Sequence, residues 1–312
     1  MFPACRTQGE EFSIPPFDLT ASDVEGFLDE LRAFHDQFRS CFARSEPREH
    51  CFNSMVGQCS ALERKSIEPM ALHVDGGNMR GMQRCLSDDV GDEDTMRATY
   101  HGLVAHEMGD PQGVLMVDES GVVTKGKDSV GVARQYCGTL GQVDKSQVGV
   151  FVAYASRQGY ALGDKRLFMP EQWFGDAYAE RRHKCQGPDE GAFHPKPQLA
   201  AEMVRAIRSE GRLPCKYLVA DCLYGNSPDF LDAMDACVGV TWFVSVPAET
   251  RCWLQRPPTT EKTYRDKGAV GSKRVVASQG QAPRTVEALA QSLAPSCWYR
   301  RTVSEGTKGP IV

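Results

Sequence analysis

No Cys-x-x-Cys pair occurs in this 312-residue sequence, although its 12 cysteines run from Cys5 to Cys297. That scatter argues against a zinc cluster or a disulfide scaffold and leaves the cysteines mostly as small buried apolar side chains. No apolar run approaches the 18 or so residues of a membrane-spanning helix. The opening segment MFPACRTQGEEF lacks a basic stretch followed by an apolar one, so no secretory leader is expected and the cytoplasm is the expected compartment. An excess of positive charge is lacking too: the net charge is −5, which excludes a simple polycation that coats nucleic acid. What is present is ample apolar material, 41% against 25% charged, enough for a buried core. The length fits two domains, or one large α/β domain with an insertion.

Charge is unevenly spread. Residues 1–110 hold 10 Lys/Arg against 20 Asp/Glu, whereas residues 251–312 hold 11 against 4. A basic terminal segment suits phosphates, because each neutralised phosphate releases counterions; an ordinary solvated surface reads the same way.

The sequence pattern changes along the chain. FSIPPF near the start opposes a helix. Ser22 and Glu25 form a candidate capping box before Val24, Phe27, Leu28, Leu31 and Phe34 at helical spacing, with a break expected near Pro47. Segments Met79 to Leu86 and Thr95 to Met108 also read as helix. The histidines of this region, including His101 and His106, lack the spacing of a metal site and read as structural or surface residues. From Gly113 the pattern turns to short apolar strands: Val114 to Val117, ended by an expected turn at Asp118 to Gly121, then Gly149 to Tyr154 with a hairpin partner from Tyr160. A helix over 196–211 with Gly211 as its cap, a strand at Tyr217 to Ala220, a short helix from Pro228 and a strand from Val240 follow. Beyond Pro247 the pattern weakens, with short strands expected at Arg274 to Ala277 and Cys297 to Val303 and a helix from Thr285. The order predicts a mixed α/β architecture.

Asp118 and Asp221 each end an apolar strand, the edge at which α/β sheets gather ligands. Hard carboxylate oxygens there suit Mg²⁺ or Mn²⁺ and two-metal phosphodiester chemistry. An aspartate after a strand equally serves as a helix N-cap or turn former. Glu119, the strand neighbour of Asp118, is expected to point to the other side, and Gly225 to permit a tight turn. Trp242 and Trp298 read first as core residues and second as stacking platforms for a base.

Val117-Asp118-Glu119-Ser120-Gly121, followed by Lys125-Gly126-Lys127 and by Ser129-Val130-Gly131-Val132-Ala133-Arg134-Gln135-Tyr136, resembles the DDE transposases of bacterial insertion sequences. The likeness continues through Cys137 to Val143 and Gly149 to Tyr154. Val219-Ala220-Asp221-Cys222-Leu223-Tyr224-Gly225 resembles the second aspartate motif of that family, and Glu63 to Ala71 and Trp242 to Pro247 extend the likeness over roughly residues 25–312. The resemblance implies an α/β fold with a ribonuclease-H-like core over 111–247. It places a mainly helical region at 1–110, suited to terminal-repeat DNA, and the start of a β-rich insertion at 248–312. It implies Asp118 and Asp221 as catalytic, metal-holding residues, Mg²⁺ or Mn²⁺ as cofactor, and Lys125, Lys127, Arg134, Arg265, Lys267, Lys273 and Arg274 as DNA contacts. The implied partners are double-stranded DNA with terminal inverted repeats, target DNA and a second copy in a homodimer, with no membrane.

One element of the family pattern is missing. Its catalytic glutamate sits in a Tyr-Arg-Glu-Lys pattern after the insertion. Here Tyr264-Arg265-Asp266-Lys267 falls too early, and Glu261, Glu287 and Glu305 lie outside any such motif. The expectation is an N-terminal portion of a transposase, inactive alone in strand cleavage, with apolar sheet surface exposed where a helix is missing. The alternatives are a non-catalytic DNA-binding or dimerising fragment that regulates transposition, and a glycosidase-like hydrolase built on a carboxylate pair. Charge and resemblance disfavour the last.

Overall fold

The computed structural model describes residues 21–87, 92–126, 128–185, 187–188, 192–255, 257–266, 269–277, 280, 282–299, 304–306 and 309–311. FSIPPF and the first aspartates of the acidic run at Asp88 lie outside them. Among the described residues, helices α1 (Ala21–Asp36), α2 (Ser45–Cys59), α3 (Ile67–His73), α4 (Met79–Ser87) and α5 (Glu93–Met108) precede the first strand. Pro47 does not break a helix; it sits in the first turn of α2, where its missing N–H costs nothing. Helix α1 starts at Ala21, so Ser22 lies inside its first turn rather than before it. Helix α5 is capped by Asp92, whose Oδ1 accepts the Thr95 N–H at 3.0 Å. Met70, Ala71 and Met82, flanked by Leu62 and Ile67, form a small core of their own.

The strands that follow are β1 (Val114–Val123), β2 (Ala133–Cys137), β3 (Gln142–Ala155), β4 (Tyr160–Phe168), β5 (Tyr217–Ala220) and β6 (Thr241–Val244). They make one mixed sheet in the order β2-β3-β1-β5-β6, with β4 also paired to β3. The β3 pairings are antiparallel, whereas β1, β5 and β6 run parallel. The parallel strands are linked through α6 (Ala179–Lys184), α7 (Lys196–Glu210), α8 (Cys222–Gly225) and α9 (Pro228–Asp235). A mixed sheet with crossover helices, preceded by a helical region, is consistent with a ribonuclease-H-like core.

Period-two burial orients the sheet. Leu115 and Val117 of β1 and Val150, Val152 and Tyr154 of β3 pack against Ala200, Met203, Val204 and Ile207 of α7. Each such aliphatic side chain is worth roughly 1.5–3 kcal/mol when buried. Helix α7 ends where foreseen, with Gly211 in the left-handed region at φ 67°. On the other face Leu167 and Phe243 remain 43% and 58% exposed, so apolar sheet surface is open there. Among the described residues the strand from Val240 pairs only with β5, at the edge of the sheet, and packs Trp242 and Val244 against the core.

The expected turn at Asp118 to Gly121 is not present. Strand β1 continues to Val123 because β3 offers a pairing partner along its whole length, from Val114↔Ala155 to Val123↔Ser146. Strand β5 stops at Ala220, so the second half of β1 is unpaired with β5 and tolerates polar residues.

The remaining elements are β7 (Arg251–Cys252), β8 (Thr259–Asp266), β9 (Ala269–Val276), β10 (Arg284–Thr285), α10 (Val286–Gln291), β11 (Ser304–Gly306) and β12 (Gly309–Ile311). The strands form two-stranded sheets β8–β9, β7–β10 and β11–β12. A strand was expected from Cys297, but Pro295–Cys297 is a 3₁₀ turn started by the fixed φ of Pro295. Trp298 is 58% exposed rather than in the core, and the segment beyond Tyr299 to Val303 lies outside the described residues. No helix among the described residues is long and apolar enough to cross a membrane.

Candidate active site at the β1–β5 edge

Val117 and Ala220 are register partners on adjacent parallel strands, and Asp118 and Asp221 are the residues that follow them. Two carboxylates 103 positions apart in sequence are therefore brought side by side by one strand pairing. Each spends one oxygen locally. Asp118 Oδ1 accepts the Glu119 N–H at 2.8 Å, and Asp221 Oδ1 accepts the Leu223 N–H at 2.9 Å as the N-cap of α8. The cap reading of Asp221 is thus correct as far as local structure goes, and it leaves the second oxygen for other work. Both aspartates are exposed and border one cavity of about 340 Å³. Ser120 of β1 and Tyr136, Gly138 and Thr139 of the β2–β3 hairpin form other parts of its wall. The Thr139 hydroxyl donates to the Gly121 carbonyl at 2.9 Å and pins that hairpin beside β1.

Glu119 also borders the cavity, but strand alternation places its carboxylate on the Leu115 and Val117 side of β1. There it accepts from two donors: the Lys196 ammonium on Oε1 and the Tyr224 hydroxyl on Oε2, each at 3.1 Å. Tyr224 is fully buried, and burial together with the Glu119 charge pushes its hydroxyl well above the usual phenol range. It stays a donor. Lys196 opens α7 and was not legible as a site residue, since nothing in its sequence neighbourhood marks it. Gly225 does not make a turn by positive φ; it ends α8, and a Cβ there would lie 2.1 Å from the Ser245 carbonyl.

The basic residues divide. Lys125 follows the end of β1 and Arg134 lies on β2, two residues from Tyr136 and hence on the same side of that strand; both are exposed. Arg265 lies on β8, and Lys273 and Arg274 on β9, in a separate two-stranded sheet. Lys127 and Lys267 lie outside the described residues. Trp242 packs against the main core, its indole N–H donating to Asp235 at 3.0 Å, which is the core role expected of it. His101 is buried with Nε2 at 2.6 Å from the Gly163 carbonyl, and exposed His106 pairs with Glu107, so both are structural or surface residues.

The donor set at Asp118 and Asp221 is hard oxygen, the chemistry that Mg²⁺ or Mn²⁺ takes with water completing the shell. Among the described residues no group of three or more His, Cys, Asp or Glu converges to hold a metal. Asp118 and Asp221 are the residues that could hold such an ion, with its other ligands coming from outside this pair.

A family model described as DDE superfamily endonuclease matches residues 37–310. A protein of Microchaete diplosiphon, described as "Probable transposase for insertion sequence element IS701", is 29% identical over 181 residues. That alignment covers 58% of this chain and 44% of the relative, so the chain spans less than half of the relative's length. The family match extends over most of the sequence, from the end of α1 to β12, and on that basis the chain belongs to the DDE superfamily endonucleases.

Proposed function

We propose that this chain supplies the metal-holding aspartates and part of the DNA path of an insertion-sequence transposase. The observation that carries the reading is the strand register that sets Asp118 beside Asp221 at one cavity. A Mg²⁺ or Mn²⁺ ion there would activate the attacking oxygen, water in end cleavage and a 3′-hydroxyl in strand transfer, and neutralise charge on the phosphodiester. The protein's own part is to hold and orient. Asp118 and Asp221 fix the ion, Lys125 and Arg134 take phosphates as a point charge and a planar fork, and Tyr136 walls the cavity. Lys127, Arg265, Lys267, Lys273 and Arg274 extend the phosphate path, terminal inverted repeats and target DNA are its partners, and a homodimer is the assembly in which two ends would meet.

Two carboxylates hold one ion but leave a second without a fixed ligand, and a misplacement of about 1 Å costs roughly 10²-fold in rate. The chain by itself is accordingly expected to bind DNA and ion without cutting, which is also what a regulatory DNA-binding role would use. Incubation with DNA bearing the element's ends in Mg²⁺ and in Mn²⁺, beside Asp118→Ala, tests this. Binding of the end DNA without cleavage is predicted. Robust cleavage abolished by Asp118→Ala would show the two aspartates to be sufficient, and absence of any preference for end DNA would remove the transposase reading.

A further inference from the structure

Pairing between β1 and β5 ends at Val117↔Ala220, one residue short of the two aspartates. Beyond that point the chains diverge, β1 continuing as strand and the other turning into α8. The Tyr224 hydroxyl bridges this gap, reaching Glu119 from the first turn after Asp221. Glu119 is one residue from Asp118, and Tyr224 is three from Asp221. Both Glu119 oxygens already accept a hydrogen bond, one from Tyr224 and one from Lys196, and strand alternation sets this carboxylate on the opposite side of β1 from Asp118. Lys196 brings α7 into the same tie, its ammonium also lying 5.5 Å from the centre of the Phe168 ring. Leaving the Glu119 charge half-buried without these donors would cost more than the bonds themselves return, which explains why both are present.

Building on the two-aspartate reading above, we propose that Glu119, clamped by Tyr224 and Lys196, is a positioning residue that fixes the spacing and orientation of Asp118 and Asp221. It acts through the backbone, by locking β1 to the start of α8 on the side away from the ion. Contacts that bond metal ligands directly carry about 10- to 100-fold in metal affinity, and a tie acting through the backbone is expected at the lower end of that range.

Binding of Mn²⁺ to the whole chain, followed by loss of the free-ion signal in electron paramagnetic resonance, tests the proposal alongside thermal unfolding. Tyr224→Phe removes only the hydroxyl and leaves every charge in place. It should weaken Mn²⁺ binding by about tenfold or more and lower the unfolding temperature only modestly, because Lys196 still holds the Glu119 charge. Lys196→Met should act in the same direction. Glu119→Gln with Tyr224→Phe should be no worse than the weaker-binding single variant, because both break one tie. Unchanged Mn²⁺ affinity in Tyr224→Phe would overturn the proposal. So would abolished binding in Glu119→Gln with Tyr224→Phe unaffected, which would make Glu119 a ligand. Asp118→Asn separates the two levels: if it too leaves binding unchanged, the aspartate reading itself fails.

Discussion

Asp221 caps α8, and under the proposed function the same carboxylate also holds the ion; the two duties can be taken apart. Asparagine caps a helix about as well as aspartate, whereas alanine forfeits about 1 kcal/mol. Asp221→Asn should therefore leave thermal stability near that of the parent while abolishing Mn²⁺ binding, and Asp221→Ala should lose both. Unfolding curves beside a Mn²⁺ titration check the pair. A second side chain reports on pH. His35 is buried between Phe42 and Phe52 with Nε2 unpartnered, and burial, aided by the nearby Arg48 and outweighing the opposing pull of Asp36, holds its pKa below the ordinary 6.5. The unfolded chain then binds the proton more readily than the folded one. Stability present above the ordinary value is lost as pH falls through it toward the lowered one. Unfolding temperature should drop between pH 7 and pH 5, and His35→Phe should flatten that slope.

Elements whose burial face follows a single period were readable in advance, and those shaped by a distant partner were not. Helix α7 shows its apolar residues at helical spacing and its glycine stop, and both are found in the structure. Strand β1 was foreshortened because Asp118 to Gly121 looks like a turn to local reasoning; only the length of β3 keeps it extended. Asp118 and Asp221 stand out in the sequence because each follows an apolar run, although Asp118 lies inside β1; the Glu119–Tyr224 tie joins residues 105 apart and leaves no local trace beyond the strand parity of Glu119. Gly225 makes the same point. Its smallness is demanded by the backbone after β6, so Gly225→Ala should push α8 off Ser245 and cost about 1–3 kcal/mol. By contrast Gly211→Ala, at positive φ but in open space, should cost only about 1–2 kcal/mol of conformational strain. Denaturant unfolding of both variants, with Mn²⁺ affinity falling in the first alone, is the expected pattern.

The molecule as a whole sets an acidic helical region before a mixed sheet and gives its most basic composition to the two-stranded sheets at the other end. A DNA path along Lys125 and Arg134 predicts that replacing either by alanine lowers the salt dependence of end binding by about one unit of slope without changing which sequence is preferred. The proposed function depends on one location for the ion. Fe²⁺ placed in the Mg²⁺ site and activated with peroxide and ascorbate cuts the polypeptide where the metal sits. Backbone cuts should cluster at residues 118 and 221, be suppressed by excess Mg²⁺ and be lost in Asp118→Asn. Cuts elsewhere that persist in Asp118→Asn would contradict that location.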